Sequence, residues 1–199
     1  LYGRSHLLDI VKASAERVFV PLTVGGGVRS VDDFEGLLRS GADKVAVNTE
    51  ATRKPELIQE LARRFGSQSV VLSVEALQTS PGKWEAMTDN GRERSGRDVL
   101  EWVVEATARG AGEVLVTSID REGTRSGFDV ELMDAVANVV STPVIASGGM
   151  GTVNDLVSVA RSTDVTGIAM ADVLHFGRFS VQDIRTEARL AGLDVRDYE

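Results

Sequence analysis

Cysteine is absent and histidine occurs only twice, at His6 and His175. Disulfides, thiolate metal sites and cysteine nucleophiles are therefore excluded, as is a zinc site built on several histidines. No metal or cofactor is expected. Basic residues are in the minority, 22 against 30 acidic, giving a net charge of −8. That balance argues against sequence-independent binding of nucleic acid. It leaves room for a local anion site made of backbone N–H groups. No apolar run exceeds strand length, so no segment is long enough to span a membrane. No signal-peptide pattern opens the chain. What is present is an ordinary globular balance: 199 residues, 42% hydrophobic and 26% charged. Such a chain forms one domain, residues 1–199, with a sizeable core. The 20 glycines are clustered, and that clustering is the first pointer to function.

Apolar periodicity predicts alternating helices and strands. Leu7, Leu8, Ile10, Val11 and Ala15 mark one helix face. Val18 to Val24 is a mostly apolar run of the kind found in strands covered on both faces, and Gly25-Gly26-Gly27 breaks it. Ser30 can cap a helix carrying Phe34, Leu37 and Leu38, which Gly41 ends. A short strand over Lys44 to Val47 is followed by Asn48-Thr49, and a helix from Pro55 to about Phe65 by a strand over Ser69 to Val74. That strand is expected to end at Glu75. The stretch 76–96 is long for a loop, and Asn90-Gly91 is a turn signal, so a β-hairpin is expected there. Helices over Asp98–Arg109, Asp129–Val139, Val153–Arg161 and Val181–Ala191 alternate with strands over Glu113–Ser118, Pro143–Ala146 and Val165–Ala169. About six strands and seven helices alternating in this way predict a parallel α/β sheet with helical crossovers.

The chain also repeats itself. Pro21 and Pro143 lie 122 positions apart, and the same offset matches Gly26 with Gly148, Gly27 with Gly149, Asp33 with Asp155 and Arg39 with Arg161. Two further strand–helix units lie between the copies. Two halves of four units make a (βα)₈ barrel, that is, a TIM barrel. Six of eight strands would leave two unpaired edges, so two strands are expected ahead of Leu1. An open barrel of this kind is expected to fold poorly alone. A doubly wound open sheet is the alternative architecture.

In a barrel the chemistry sits at the C-terminal strand ends. The residues there are Gly25 to Gly27, Asn48, Thr49, Glu75, Thr117 to Gly123, Ser147 to Gly149, Ala171 and Asp172. A Gly-Gly pair between strand and helix lets a phosphate meet backbone N–H groups; it also simply makes a tight turn. Two copies at equivalent places favour two anion sites. Glu75 in the barrel mouth is either an acid/base with a raised pKa or a carboxylate paired with a cation. Lys44 and Glu113 begin their strands, which places them at the barrel bottom, where an ion pair is the plain reading. His175 reads as packing.

Several of these segments together resemble one family. Val24-Gly-Gly-Gly-Val-Arg29, Gly41-Ala-Asp-Lys-Val45 with Asn48, Phe65-Gly-Ser-Gln68, Gly110-Ala-Gly-Glu113, Thr117-Ser-Ile-Asp-Arg-Glu-Gly-Thr124 and Ala146-Ser-Gly-Gly149 resemble the cyclase subunit of imidazole glycerol phosphate synthase. The similarity runs from about Val18 to the end. The family's first two strands, with an N-terminal catalytic aspartate, have no counterpart in this sequence. The resemblance implies a cytoplasmic, ammonia-dependent lyase and cyclase of histidine biosynthesis. In that family a glutaminase docks at the barrel bottom. Ammonia passes up the barrel to a bisphosphorylated ribulosyl-formimino substrate, which yields imidazole glycerol phosphate and an aminoimidazole carboxamide ribotide. By matching position, Gly27, Asn48 and Thr49 would serve one phosphate. Gly123, Gly149 and Ala171 would serve the other, and Gly26, Thr117, Glu122, Ser147, Gly148 and Asp172 are further candidates for binding substrate or phosphate. Lys44 and Glu113 match an ammonia gate, and Asp43 and Gln68 match positions facing the glutaminase.

Three departures stand out. Glu75 replaces a catalytic aspartate, and its extra methylene shifts the carboxylate by roughly 1 Å, which is costly where geometry is critical. Glu122 replaces a phosphate-loop aspartate. Asp172 replaces a serine beside the second phosphate, where an ionised carboxylate repels a dianion. A top altered over a preserved bottom also resembles a paralogue that supplies ammonia for converting acetamido to acetamidino sugars in surface polysaccharides. Leu1-Tyr-Gly-Arg4 and Thr88-Asp-Asn-Gly-Arg92 look more like that branch. A non-catalytic scaffold that only activates a glutaminase is the third possibility.

Overall fold

The computed structural model describes residues 4–196; Leu1, Tyr2 and Gly3 lie outside them. Six strands run parallel: β1 (Thr23–Gly25), β2 (Lys44–Val47), β3 (Val70–Ser80), β6 (Glu113–Ser118), β7 (Val144–Ser147) and β8 (Gly167–Ile168). Their order is β1-β2-β3-β6-β7-β8, each strand bonded to the next parallel one in the chain. The order never reverses, as it would in a doubly wound sheet. This is the winding of a (βα) barrel. Two more strands, β4 (Lys83–Thr88) and β5 (Glu93–Asp98), pair antiparallel onto the far part of β3.

Period-two alternation sets the two faces. Val45, Val47, Val70, Leu72, Val74, Val114, Val116, Val144 and Ala146 are buried under the helices. Their registers agree across the sheet: Val47 opposes Leu72, Leu72 opposes Val114, and Val114 opposes Val144. The helices are α1 (Arg4–Ala15), α2 (Val31–Arg39), α3 (Thr49–Arg53), α4 (Glu56–Phe65), α5 (Val99–Ala108), α6 (Val130–Val139), α7 (Val153–Ser162), α8 (Asp172–His175) and α9 (Val181–Leu190). Phe34 of α2, Leu61 of α4, Trp102 of α5 and Leu132 of α6 turn fully buried side chains to the sheet. Side chains cap several starts: Ser30 accepts from Asp33 N, and Asp98 from Leu100 N and Glu101 N. None of the described helices is long and apolar enough to cross a membrane.

Four expectations need correction. The apolar run from Val18 is not a strand until Thr23, and Phe19 is 93% exposed. Its partner β2 starts only at Lys44, so among the described residues no strand lies alongside 18–21. β8 is two residues long, although Thr166 N and Ala169 N still bond to β7 carbonyls on either side of it. β3 does not end at Glu75 but runs on to Ser80 as the root of the β4–β5 arm. The short helices α3 and α8 carry no amphipathic repeat and were not foreseen.

This burial pattern gives a direct prediction. Leu72→Ala, at 0% exposure, should cost about 2–5 kcal/mol in urea denaturation. Leu190→Ala, at 84% exposure, should change stability by less than about 0.5 kcal/mol.

Candidate functional site

The strand residues that alternate with the buried set line the concave face in layers, as barrel interiors do. At the bottom, Lys44 of β2 makes an ion pair with Glu113 of β6. The pair reaches across the intervening β3, which requires the sheet to curl around them. Ser73, Leu115 and Ile145 form the middle row. Glu75, Thr117 and Ser147 oppose one another across β3, β6 and β7 and form the top row.

Glu75 is the best-held group of that row. Its Oε2 accepts from Asn48 Nδ2 at 3.0 Å and from the Gly91 backbone N–H at 2.8 Å. Asn48 immediately follows β2. Gly91 lies in the turn between β4 and β5, so the antiparallel arm folds its tip back onto the strand from which it grows. The same tip donates Asp89 N–H to Thr49 Oγ1 at 3.1 Å. The turn uses left-handed backbone at Asp89, Asn90 and Gly91, with φ of 51°, 57° and 74°. Burial pushes the Glu75 carboxyl above its ordinary value of 4.5, against the two donated hydrogen bonds, and the nearby Asp89 charge pushes in the same direction. The second oxygen, Oε1, keeps its lone pairs for a ligand. A carboxyl held above its ordinary value in this way is suited to give or take a proton.

The two glycine turns differ. Gly26 and Gly27, with φ of 110° and 68°, face open space. Gly148 and Gly149, with φ of 96° and 98°, are buried. A Cβ on Gly149 would lie 2.3 Å from the Gly127 carbonyl oxygen, so close packing alone demands glycine there. Beside this second turn lies a cavity of about 150 Å³ lined by Glu122, Gly123, Ser147, Gly148, Gly149, Ala171 and Asp172 among others. Those candidates are brought together. The Glu122 carboxylate approaches the Gly148 turn, 3.4 Å from where a Cβ would stand. Asn48, Thr49 and Glu75 form a separate group with the arm tip. Asp172 is not the bare carboxylate expected from sequence: Arg178 Nε donates to its Oδ2 at 2.9 Å. His175 packs edge-on against Phe176, ring centroids 4.8 Å apart.

At the opposite end, Asp43 and Gln68 are exposed. Asp43 Oδ2 accepts from Leu22 N at 2.7 Å and so fastens the start of β1. Sequence reasoning missed Gly91 and Asp89 as partners of the site, and also Arg125 and Arg178. The Asn-Gly turn signal was visible, but its landing place on Glu75 is a tertiary fact. Exposed arginines carry no local signal.

The pKa direction at Glu75 fixes a pH dependence. A raised folded pKa means that Glu75 contributes its full stability below 4.5 and loses it as pH rises through the folded value. Glu75→Gln keeps the acceptor oxygen without the charge. Its melting temperature should equal that of wild type in acid and exceed it at neutral pH. Equal melting temperatures across the whole range would contradict the burial argument.

The histidine biosynthesis protein family matches residues 1–180. The imidazole glycerol phosphate synthase subunit HisF of Legionella pneumophila is 65% identical over 151 residues, 76% of this chain and 71% of that protein. The HisF subunit of Beutenbergia cavernae is 51% identical, covering 98% of this chain and 77% of its own. That of Gluconacetobacter diazotrophicus is 49% identical over 98% and 75% respectively. With so much of its length matched, the chain belongs to the histidine biosynthesis protein family, among relatives that are HisF subunits of imidazole glycerol phosphate synthase.

Proposed function

We propose that this chain is an ammonia-dependent cyclase subunit of the imidazole glycerol phosphate synthase type. The observation that carries the reading is Glu75: a half-buried carboxylate with raised pKa, pinned by Asn48 and Gly91 at the C-terminal end of the parallel sheet. Glu75 Oε1 would exchange protons with the substrate during lyase and ring-closing steps. Asn48, Thr49 and the open Gly26-Gly27 turn would receive one phosphate. The Gly148-Gly149 turn with Gly123 and Ala171 would receive the other. Thr117 and Ser147, in the same row as Glu75, would orient the segment between them.

Ammonia would enter from below. The Lys44–Glu113 pair spans the bottom of the concave face, and separating the two charges would open a way through it. A glutaminase partner would dock there, on a rim that includes Asp43 and Gln68. The acetamidino-sugar branch would keep this lower half and differ at the top, where Glu75, Glu122 and Asp172 depart from the cyclase pattern.

The test supplies the protein carrying this chain with the bisphosphorylated ribulosyl-formimino substrate and an ammonium salt. Release of the aminoimidazole carboxamide ribotide is expected. A folded protein that stimulates a glutaminase yet releases no ribotide would reject the cyclase reading in favour of the sugar branch or the scaffold.

A further inference from the structure

Asp172 opens α8 directly after the last strand and lines the cavity at the Gly148-Gly149 turn. A lone carboxylate there would oppose any anionic ligand. Arg178, six residues on in the chain, changes that. Its Nε bonds Asp172 Oδ2 at 2.9 Å, and its guanidinium carbon lies 5.4 Å from the centre of the Phe176 ring. With Nε engaged, the four Nη protons are left over, and among the described residues no other ion pair or hydrogen bond claims them. Arg178 also lines an adjoining hollow of about 480 Å³ with Thr124, Arg125, Gly151 and Thr152. Arg125 lines both spaces. The charged side chains that line them are two carboxylates, Glu122 and Asp172, and two arginines, Arg125 and Arg178. Without Arg178 the balance of the lining would turn negative.

We infer that Arg178 is a specificity-determining residue of this site, recognising the phosphate monoester that the Gly148-Gly149 turn receives, with Asp172 as the residue that positions it. The inference deepens the proposed function and rests on it for the placement of that phosphate. A carboxylate and an aromatic face hold the guanidinium, so less side-chain freedom is lost when it meets the ligand. A planar fork also suits phosphate oxygens. The pair therefore explains how an aspartate is compatible with anion binding here.

The experiment uses inorganic phosphate, followed by calorimetry and by the amide shifts of Gly148, Gly149 and Ala171 in the protein carrying this chain. Arg178→Ala should weaken phosphate binding at those amides by about tenfold or more. Arg178→Lys, which keeps charge without the fork, should fall between. The double variant Asp172→Asn/Arg178→Ala restores neutrality but not the donor, so binding should stay weak. In turnover, Arg178→Ala should raise KM about tenfold with kcat within about threefold of wild type. Recovery of wild-type affinity in the double variant would overturn the inference, reducing Arg178 to a counter-charge. Unchanged binding in Arg178→Ala, or no shift of the three amides in wild type, would overturn it as well. Phosphate binding is read without turnover, so failure of the cyclase assay leaves this result separate.

Discussion

β3 is paired along nearly its whole length, with β2 and β6 in parallel and with β4 in antiparallel fashion. Its first half lies at the middle of the curled sheet, where Leu72 is flanked by Val47 and Val114. Its second half leaves the sheet and becomes the root of the arm. The strand's alternation fixes Val70, Leu72 and Val74 against the helices, so Val71, Ser73 and Glu75 must face inward. A one-residue slip would bury Glu75 under helices and turn Leu72 inward. The whole site depends on that register.

From it follow the distinct chemistries of the two ends. At the lower end an ion pair joins β2 and β6 across the concave face. At the upper end the arm returns to place a backbone N–H and an aspartate beside Glu75. Glu75 reaches Asn48 and the arm tip together, so its side chain is held by two donors on one oxygen. The two glycine turns, alike in sequence, diverge in packing because only the second is pressed against the Gly127 backbone.

Much of this was legible in the sequence where local pattern and tertiary environment agree. The apolar alternation of β2, β3, β6 and β7 could be read because each is sandwiched between neighbours and helices. The glycine repeat announced two equivalent strand ends, and the prevailing helix–strand alternation announced the barrel winding. Val18 to Val20 misled because hydrophobicity signals a strand only when a partner exists at the right register. The tail of β3 was missed because Gln78, Thr79 and Ser80 carry no apolar pattern and are held by pairing with β4. Contacts that shape the site, Gly91 to Glu75 and Arg178 to Asp172, join segments through the fold. Composition gives no hint of either.

The most direct measurement is the pH profile of kcat/KM for ammonium-driven turnover, compared between wild type and Glu75→Gln. The account predicts an acidic limb in wild type set by a group titrating above 4.5, and a loss of about 10²–10⁴-fold in the variant with that limb gone. Turnover by Glu75→Gln at wild-type rates with the same limb would show that Glu75 transfers no proton and would contradict the account.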